Sequence, residues 1–346
     1  MKKPLPSFIG MLIKQLEASQ QVCRRGCIFL FLLMLSLSSF AQHFTVGNEK
    51  WRIEAGLNFG PTFFLGDLGG NTGKGTTFIK DLNLELTKMM KGGFVSFYPN
   101  SWIGFRVAAQ YTYVEGRDYI INTNGVDELW RKQRNLDFKS DMFEAYGAVE
   151  LYPMMYLKRH DEEYAPRLRP YGFAGLGMFR FNPKGSLRDA NGNTTWHELH
   201  PLRTEGQGMA EYPDKKPYSL TQINLPMGMG VKYFFNERIN VGLELLYRKT
   251  FTDYIDDVST TYIDPNHFEL YMSQDQAAIA RQIHDKVYGI VTPGVNRYEP
   301  GVQRGNPRNN DAYFSFLMKV GIRLGAIYDS PAERNVVRQV RCAFRF

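Results

Sequence analysis

The sequence predicts an all-β protein, an eight-stranded antiparallel transmembrane β-barrel with long extracellular loops and short periplasmic turns. Five stretches alternate apolar and polar side chains with a period of two, which is the pattern of a strand with two different faces, and three more show weaker strand patterns. Several of them reach ten residues, enough for a tilted strand to cross a bilayer. Short and long connections also follow one another along the chain.

In chain order the predicted strands cover 51–59, 91–98, 103–113, 143–151, 170–181, 220–235, 239–248 and 314–324. The first, third and fourth alternate along their whole length, with charged residues such as Glu54 and Arg106 on one face only. The second has the composition of a strand but an uncertain phase, and the fifth places aromatic residues around small ones. The last three again separate an apolar face from one that carries Lys232, Glu244 and Lys319.

The connections favour a membrane barrel over a soluble one. Tight turns are expected at 99–100 and 236–238, and the long loops are expected at 60–90, 114–140, 182–219 and 252–311. Short turns at one end and long loops at the other are typical of outer-membrane barrels, although the link 153–169 is long for a periplasmic turn. A soluble β-sandwich or lipocalin-like barrel is the alternative, but it would expose its polar face, whereas here one face is nearly free of charge.

Composition excludes several other classes of protein. The chain has 346 residues, of which 14% are aromatic and 22% charged, so it is neither disordered nor fibrous. The net charge is +7, but residues 1–41 carry +4 of it, and the remaining +3 does not indicate a nucleic-acid-binding protein. Of the three cysteines only Cys342 lies beyond that leader, which excludes an intrachain disulfide and a cysteine-based zinc site in the mature chain.

The N-terminus has the pattern of a secretory signal peptide. Arginines precede an apolar run at 27–37, and Ser39 and Ala41 supply the small residues before a cleavage site. The run is short for a transmembrane helix, and a buried helix or a retained anchor is the alternative. The predicted organisation is a signal peptide over 1–41, an outer-membrane barrel over 42–326 and a C-terminal periplasmic tail over 327–346.

If the apolar face meets lipid, the charged face fills the lumen. The lumen is then expected to hold Arg52, Glu54, Arg106, Glu144, Glu150, Lys232, Glu244, Arg248, Lys319 and Arg323. An eight-stranded barrel is just wide enough for side chains, and buried charges must be paired, so we expect a salt-bridged plug rather than a conductive pore. The lipid-facing wall is expected to include Ile103, Phe105, Val107, Leu243, Leu245, Phe316, Met318 and Val320.

No catalytic, cofactor-binding or metal-binding residue can be named, and we expect neither an enzyme nor a cofactor. The segment 69–75 resembles a phosphate-binding loop but lacks residues that a Walker motif requires. The segment His197-Glu-Leu-His200 resembles a zinc-protease motif, but that motif requires its second histidine at 201, where Pro201 stands. The three carboxylates of 253–260 are compatible with a calcium site or with ordered loop packing.

Five segments resemble the PorG family of outer-membrane barrels from the Bacteroidetes type IX secretion machinery. They are GDLGG (66–70), LRPYGFAGLGMFRFNPKG (168–185), PLRTEGQG (201–208), QINLPMGMGVKYFF (222–235) and ELLYRKTFTDYIDDVSTTY (244–262). The resemblance spans about 51–326 and implies a barrel in the Gram-negative outer membrane that associates with the periplasmic PorK/PorN ring, which also serves gliding motility in relatives. It implies no activity and no cofactor.

The partners expected are therefore outer-membrane lipid and periplasmic ring proteins, with no nucleic acid and no small-molecule substrate. Two other hypotheses stay open: a stand-alone barrel that binds a small ligand or mediates adhesion through its loops, and an outer-membrane enzyme. With an even number of strands both termini are expected in the periplasm, beside the link 153–169. The tail end, 340–346, alternates like a strand and either pairs with a partner's sheet or serves as a barrel-insertion signal.

Overall fold

The computed structural model describes residues 52–68, 86–121, 126–160, 166–188, 191–236, 238–287 and 298–324. The predicted signal peptide, the glycine-rich segment 69–75, positions 161–165 of the long link and the tail 327–346 lie outside these residues. The domain boundaries assigned to the leader and the tail therefore stay predictions.

The described residues form a closed, eight-stranded antiparallel barrel, which confirms the predicted fold class. Each barrel strand pairs with the next one along the chain, and the first strand pairs with the last. A ninth, short strand, β6, pairs only with the end of β5 and was not predicted. The strands are β1 (Arg52–Leu65), β2 (Lys88–Tyr98), β3 (Ile103–Arg117), β4 (Asp137–Leu151), β5 (Leu168–Arg188), β6 (Thr194–Glu198), β7 (Thr221–Phe234), β8 (Ile239–Thr250) and β9 (Ala312–Leu324).

Antiparallel pairing keeps the two faces of the strands separate around the barrel. Arg106 lies opposite Ser96 on β2 and Ala148 on β4, and all three side chains are buried. Because strand side chains alternate, this register places the neighbouring Val107 outside, where it is 69% exposed. The same pairing sets the uncertain phase of the second strand, with Phe94 inside and Val95 outside.

The two ends of the barrel differ. At one end, here called the turn end, the strands are joined by residues 99–102, 152–167 and 235–238. The link at 152–167 is longer than the others, as predicted, and begins with a short helix, α2 (Pro153–Leu157). At the other end, the loop end, four strands extend by four or more residues beyond their predicted limits. Strands β1, β3 and β5 run to Leu65, Arg117 and Arg188, and β4 starts at Asp137.

Beyond the strands, the described residues of 66–68, 118–136, 191–220 and 251–311 pack together at the loop end and are called the cap. The cap contains three α-helices and three 3-10 helices. They are α1 (Val126–Arg134), α3 (Phe268–Tyr271) and α4 (Gln274–His284), with 3-10 helices at Asp118–Ile120, His200–Leu202 and Pro265–His267. The side chain of Ser273 caps α4 by accepting a hydrogen bond from the backbone N–H of Gln276. No described helix has the length and apolar character needed to span a membrane.

One hydrophobic core joins the cap to the barrel. Phe138, Met142 and Phe181 point inward from the loop-end halves of β4 and β5, and they belong to the same buried cluster as Ile255 and Phe268 of the cap. Burial of such large apolar side chains stabilises a structure by about 1.5–3 kcal/mol each. The loop end of the barrel is therefore closed by a packed cap.

The outer wall is apolar along its middle and aromatic near both ends. Outward side chains include Val107 and Leu243, which are 69% and 61% exposed. Of the predicted lipid-facing set, Ile103 and Leu245 are only partly exposed and the other six are exposed. Exposed aromatic residues lie towards the turn end at Tyr233 and Phe235 and towards the loop end at Tyr113, which is the girdle arrangement of a membrane barrel.

Candidate functional site

The charged residues predicted for the lumen converge there. Nine of the ten are buried, and Arg52 is half-buried at the turn-end mouth. They come from six strands and reach one another only because the sheet closes, since Glu54 on β1 and Lys232 on β7 are far apart in sequence. Their contacts form three levels along the barrel axis.

The middle level is centred on Arg106. Its Nε donates to Oε1 of Glu150 at 2.6 Å, and its Nη1 donates to Oε1 of Glu244 at 3.0 Å. Glu244 also accepts from Lys319 Nζ at 3.1 Å and from the hydroxyl of Tyr171 at 2.6 Å. Each buried carboxylate at this level therefore has charged and neutral donors.

The level nearer the turn end is built around Lys232. Its ammonium donates to Oε1 of Glu54 at 2.8 Å and to the hydroxyl of Tyr98 at 2.6 Å. Tyr98 and Tyr152 both donate to Oε2 of Glu150, at 2.8 and 2.6 Å. The tyrosines thus connect this level to the middle one.

The level nearer the loop end holds Glu144. Its carboxylate accepts from Arg248 Nε at 3.2 Å, from Gln110 Nε2 at 2.5 Å and from Asn224 Nδ2 at 2.6 Å. The Nη1 group of Arg248 donates to the hydroxyl of Ser315 at 2.6 Å. Above this level begins the apolar core that is shared with the cap.

The charges of the three levels balance one another, and the additional basic residues Arg52, Arg169 and Arg323 lie at the turn-end mouth. Arg106, Lys232, Arg248 and Lys319 balance Glu54, Glu144, Glu150 and Glu244. The cavity at the turn-end mouth, between Arg169, Arg323 and Phe234, measures about 10 Å³, which is the room taken by about one water molecule. This arrangement is the predicted salt-bridged plug.

The neutral hydrogen-bond donors of the network are not apparent from the sequence. Tyr98, Tyr152 and Tyr171 are buried and supply hydroxyl groups to the carboxylates, yet none was assigned to the lumen. A tyrosine fits either face of a membrane barrel, because its ring is apolar and its hydroxyl polar. For Tyr98 and Tyr171 the sequence does not show the phase of 91–98 and 170–181, which only pairing with the neighbouring strands determines. Tyr152 lies one residue beyond the predicted fourth strand.

The carboxylates of 253–260 lie in the cap, where packing with distant loops buries them. Asp257 accepts from Thr204 Oγ1 at 2.5 Å and from the hydroxyl of Tyr218 at 2.7 Å. Burial raises the pKa of Asp257 to about 6. The segment therefore has the ordered loop packing that was one of its two predicted roles. Among the described residues no group of three or more His, Cys, Asp or Glu side chains is arranged as a metal site.

The histidines singled out in the sequence are also explained by packing. His197 lies on β6 and His200 begins a 3-10 helix, so the two do not share an α-helix. His200 Nε2 lies 2.9 Å from the carbonyl oxygen of Tyr218. His284 is buried with Nδ1 2.6 Å from the carbonyl oxygen of Thr204, and burial lowers its pKa to about 4.

Glu205, which the sequence analysis did not single out, organises the cap. Its carboxylate accepts from the backbone N–H groups of Ser259 and Thr260 at 2.9 and 2.8 Å. It also accepts from Arg304 Nη1 at 3.0 Å. One buried side chain thereby joins three separate stretches of the cap, and no local pattern reveals this, because the contacts connect residues that are distant in sequence.

Comparison with solved structures returns eight-stranded outer-membrane barrels at low similarity. Ail, the attachment invasion locus protein of Yersinia pestis, is 8% identical, with 79% of this chain and 97% of that chain covered and a TM-score of 0.30. Neisserial surface protein A is 11% identical, with 79% and 96% covered and a TM-score of 0.30. OprG of Pseudomonas aeruginosa is 10% identical, with 80% and 96% covered and a TM-score of 0.29. Likenesses this distant carry no functional argument.

No curated protein matches the sequence. The model of the family described as outer membrane protein beta-barrel domain matches residues 27–270, which is more than half of the chain and includes the strands β1 to β8. Together with the closed barrel, the apolar wall and the charged lumen, this match shows that the chain belongs to the outer membrane protein beta-barrel domain family and is a protein of the outer membrane.

Proposed function

We propose that this barrel is a structural component of a type IX protein secretion machinery, and that its turn end faces the periplasm and docks onto a ring resembling PorK/PorN. The proposal rests on the sequence resemblance to the PorG family. It gives the barrel no enzymatic activity, and the filled lumen supports a structural role.

Contacts inside the cap support the resemblance to the PorG family beyond the general pattern of a barrel. Two of the resembling segments, 201–208 and 244–262, meet in the cap through the contacts of Glu205 with Ser259 and Thr260 and of Thr204 with Asp257. Closing a barrel does not require these contacts. Because the resembling loop residues form one buried unit, the resemblance extends to a specific feature of the cap and not only to alternating strands.

The turn end offers a surface for a protein partner. Around α2, Met154, Tyr156 and Leu157 are 49%, 45% and 75% exposed, and the guanidinium of Arg159 lies 4.5 Å from the ring centroid of Tyr156. Exposed apolar and aromatic side chains next to basic ones are typical of binding sites for other proteins. The tail after Leu324 is a second candidate, which stays a prediction.

Deleting the gene in a strain that secretes through this pathway tests the function. We expect the secreted cargo proteins to remain in the cell and to return when the gene is restored. Unchanged secretion would contradict the proposal and favour the alternative, a stand-alone barrel that binds a small ligand or mediates adhesion through its loops.

Photo-crosslinking tests the docking surface with a matched pair of positions. Leu157 at the turn end and Leu270 on α3 in the cap are the same residue type and are similarly exposed, at 75% and 68%. A photoreactive residue at 157 should capture periplasmic ring proteins in secreting cells, and one at 270 should not. Capture from 270 alone, or from neither position, would refute docking through this surface.

A further inference from the structure

Four aspartates from three stretches of chain lie near one another inside the cap, because Asp256 accepts from the backbone of Leu68, next to Asp67, and Asp311 accepts from the backbone of Ile255. Asp67 follows β1, Asp253 and Asp256 follow β8, and Asp311 directly precedes β9. Asp253, Asp256 and Asp311 are only 7%, 1% and 1% exposed, and Asp67 is half-buried. We call these four residues the aspartate cluster.

Backbone N–H groups reach only part of the cluster. Asp256 accepts from Leu68 at 3.1 Å and from Val258 at 3.0 Å, and Asp311 Oδ2 accepts from Ile255 at 2.8 Å. Asp67 Oδ2 accepts from Asn306 at 2.5 Å. Three buried oxygens accept no hydrogen bond: both carboxylate oxygens of Asp253 and Oδ1 of Asp311.

The cations nearest to the cluster contact the backbone of Asp67 or pair with carboxylates outside the cluster. Arg134 donates through Nε and Nη2 to the two carboxylate oxygens of Asp118, at 2.7 and 3.0 Å. Arg304 donates to Glu205 at 3.0 Å, and Arg131 reaches the backbone carbonyl of Asp67. Within the described part of the chain, no lysine or arginine forms an ion pair with any aspartate of the cluster.

Four ionised carboxylates in this place would repel one another without a counter-charge. A buried, unpaired charge costs several kcal/mol, and a group in such a site takes up a proton instead. A protonated carboxyl group removes the repulsion and supplies an O–H donor for a neighbouring oxygen that lacks one.

We propose that the aspartate cluster is a proton-held clasp, in which protonated Asp253 and Asp311 keep the segments 66–68, 252–258 and 304–311 together and the cap loosens as the pH rises. Ionisation would force the carboxylates apart and would uncover the apolar core that the cap shares with the barrel.

The directions of the pKa shifts agree with this arrangement. Burial raises the pKa of Asp253 to about 9, and repulsion from Asp256 and Asp67 acts in the same direction. Burial and the neighbouring aspartates also raise the pKa of Asp311, and burial raises those of Asp256 and Asp67. Other groups that face the cluster act in both directions. Arg134 and Arg131 lower the pKa of Asp67 and Ser259 lowers that of Asp253, whereas Glu205 raises both, but burial is the largest cause at each aspartate.

The sign of the pH effect follows from linkage. A carboxyl group whose pKa is higher in the closed cap than in the open one favours closure at low pH, and that contribution is lost as the pH rises through the raised pKa. His284 acts in the opposite sense, because burial lowers its pKa to about 4 and its protonation at low pH opposes closure. Above about pH 7 His284 is largely neutral in both states. Burial lowers the pKa values of Lys215 and Lys286 in the cap, so these two lysines favour closure as the pH rises and oppose the aspartates.

Hydrogen exchange of the folded barrel in lipid vesicles, between about pH 7 and about pH 9.5, tests the clasp. After correction for the intrinsic exchange rate, protection of 252–262 should fall by at least about tenfold over this range, while protection of the β3–β4 amides should not change. The infrared C=O stretch of protonated carboxyl groups should disappear over the same range. A wild-type cap that stays equally protected would overturn the proposal.

Two variants and a control localise the effect. Asp253→Asn and Asp311→Asn keep an acceptor oxygen and add a neutral donor, so each should reduce the pH dependence at least about tenfold and keep the cap closed at high pH. Asp214→Asn, at an exposed position of the same cap, should behave like the wild type. Wild-type pH dependence in both cluster variants would refute the clasp.

A divalent cation is the competing source of counter-charge, and the same experiment separates the two. If a chelator opens the wild-type cap at about pH 7 and added Ca²⁺ closes it again, a metal ion rather than protons neutralises the cluster, and the proposal is wrong. If neither treatment changes protection while pH does, the clasp is supported. Should the variants fail to fold, the wild-type infrared and exchange measurements still decide.

Discussion

Arg106 shows at the residue scale why the lumen charges tolerate burial. Its guanidinium donates to Glu150 on β4 and Glu244 on β8, and the centroid of the Phe173 ring lies 4.7 Å from it. Five donors in a rigid plane allow one arginine to form several hydrogen bonds with each of two carboxylates, whereas an ammonium group has only three donors. The residue therefore ties opposite walls of the barrel together.

Removing the side chain of Arg106 should destabilise the barrel. Arg106→Met leaves Glu150 and Glu244 buried with fewer partners, and we expect a loss of about 3–5 kcal/mol in the free energy of unfolding, measured by urea titration in lipid vesicles. Arg159→Met, at an exposed position of the turn end, should change it by less than about 1 kcal/mol. Adding Glu244→Gln to Arg106→Met should recover part of the loss, because it removes one of the unpaired charges. Equal stability of the two single variants would contradict the plug.

At the scale of the element, each strand has two faces that meet different surroundings. On β8, Leu243 faces outward and is 61% exposed, whereas the next residue, Glu244, is 3% exposed and lies in the lumen. A shift of one residue in register would exchange the two, so the pairing of β8 with β7 and β9 is strongly specified.

An arginine on the lipid face tests this assignment. Leu243→Arg should cost roughly 2–4 kcal/mol if the position lies near the middle of the bilayer, measured as folding efficiency and unfolding free energy in vesicles. The matched control is Leu270→Arg, because Leu270 is 68% exposed on the cap and stays in water. Equal tolerance at the two leucines would contradict the placement of the wall in lipid.

At the scale of the whole molecule, the barrel is filled by charges along most of its length and closed by the cap at the loop end. Purified protein in planar bilayers should therefore show no steady ion conductance, whereas an open porin measured in parallel should. Stable open-channel currents at moderate voltage would mean that the plug leaves the lumen, and they would favour a transport role over the structural one.

Alternation along single strands was enough to predict much of this molecule. Most of the barrel strands and the lumen charges from Glu54 to Arg323 follow from it, because side chains alternate with a period of two and lipid and the lumen select different faces. The second strand was predicted from its composition, and the difference between the two ends from the lengths of the connections. These are local properties, so the sequence carries them without knowledge of the partners of each strand.

The tertiary structure alone decided which distant groups meet. The pairing of Lys232 with Glu54, the tyrosine hydroxyls on Glu150, the contacts of Glu205 and the aspartate cluster all join stretches that closure of the sheet and packing of the cap bring together. Such contacts have no period and no fixed spacing, because each depends on where the other strands and loops end. The strands could thus be read from the sequence, whereas the network inside them and the clasp above them became visible only in the folded chain.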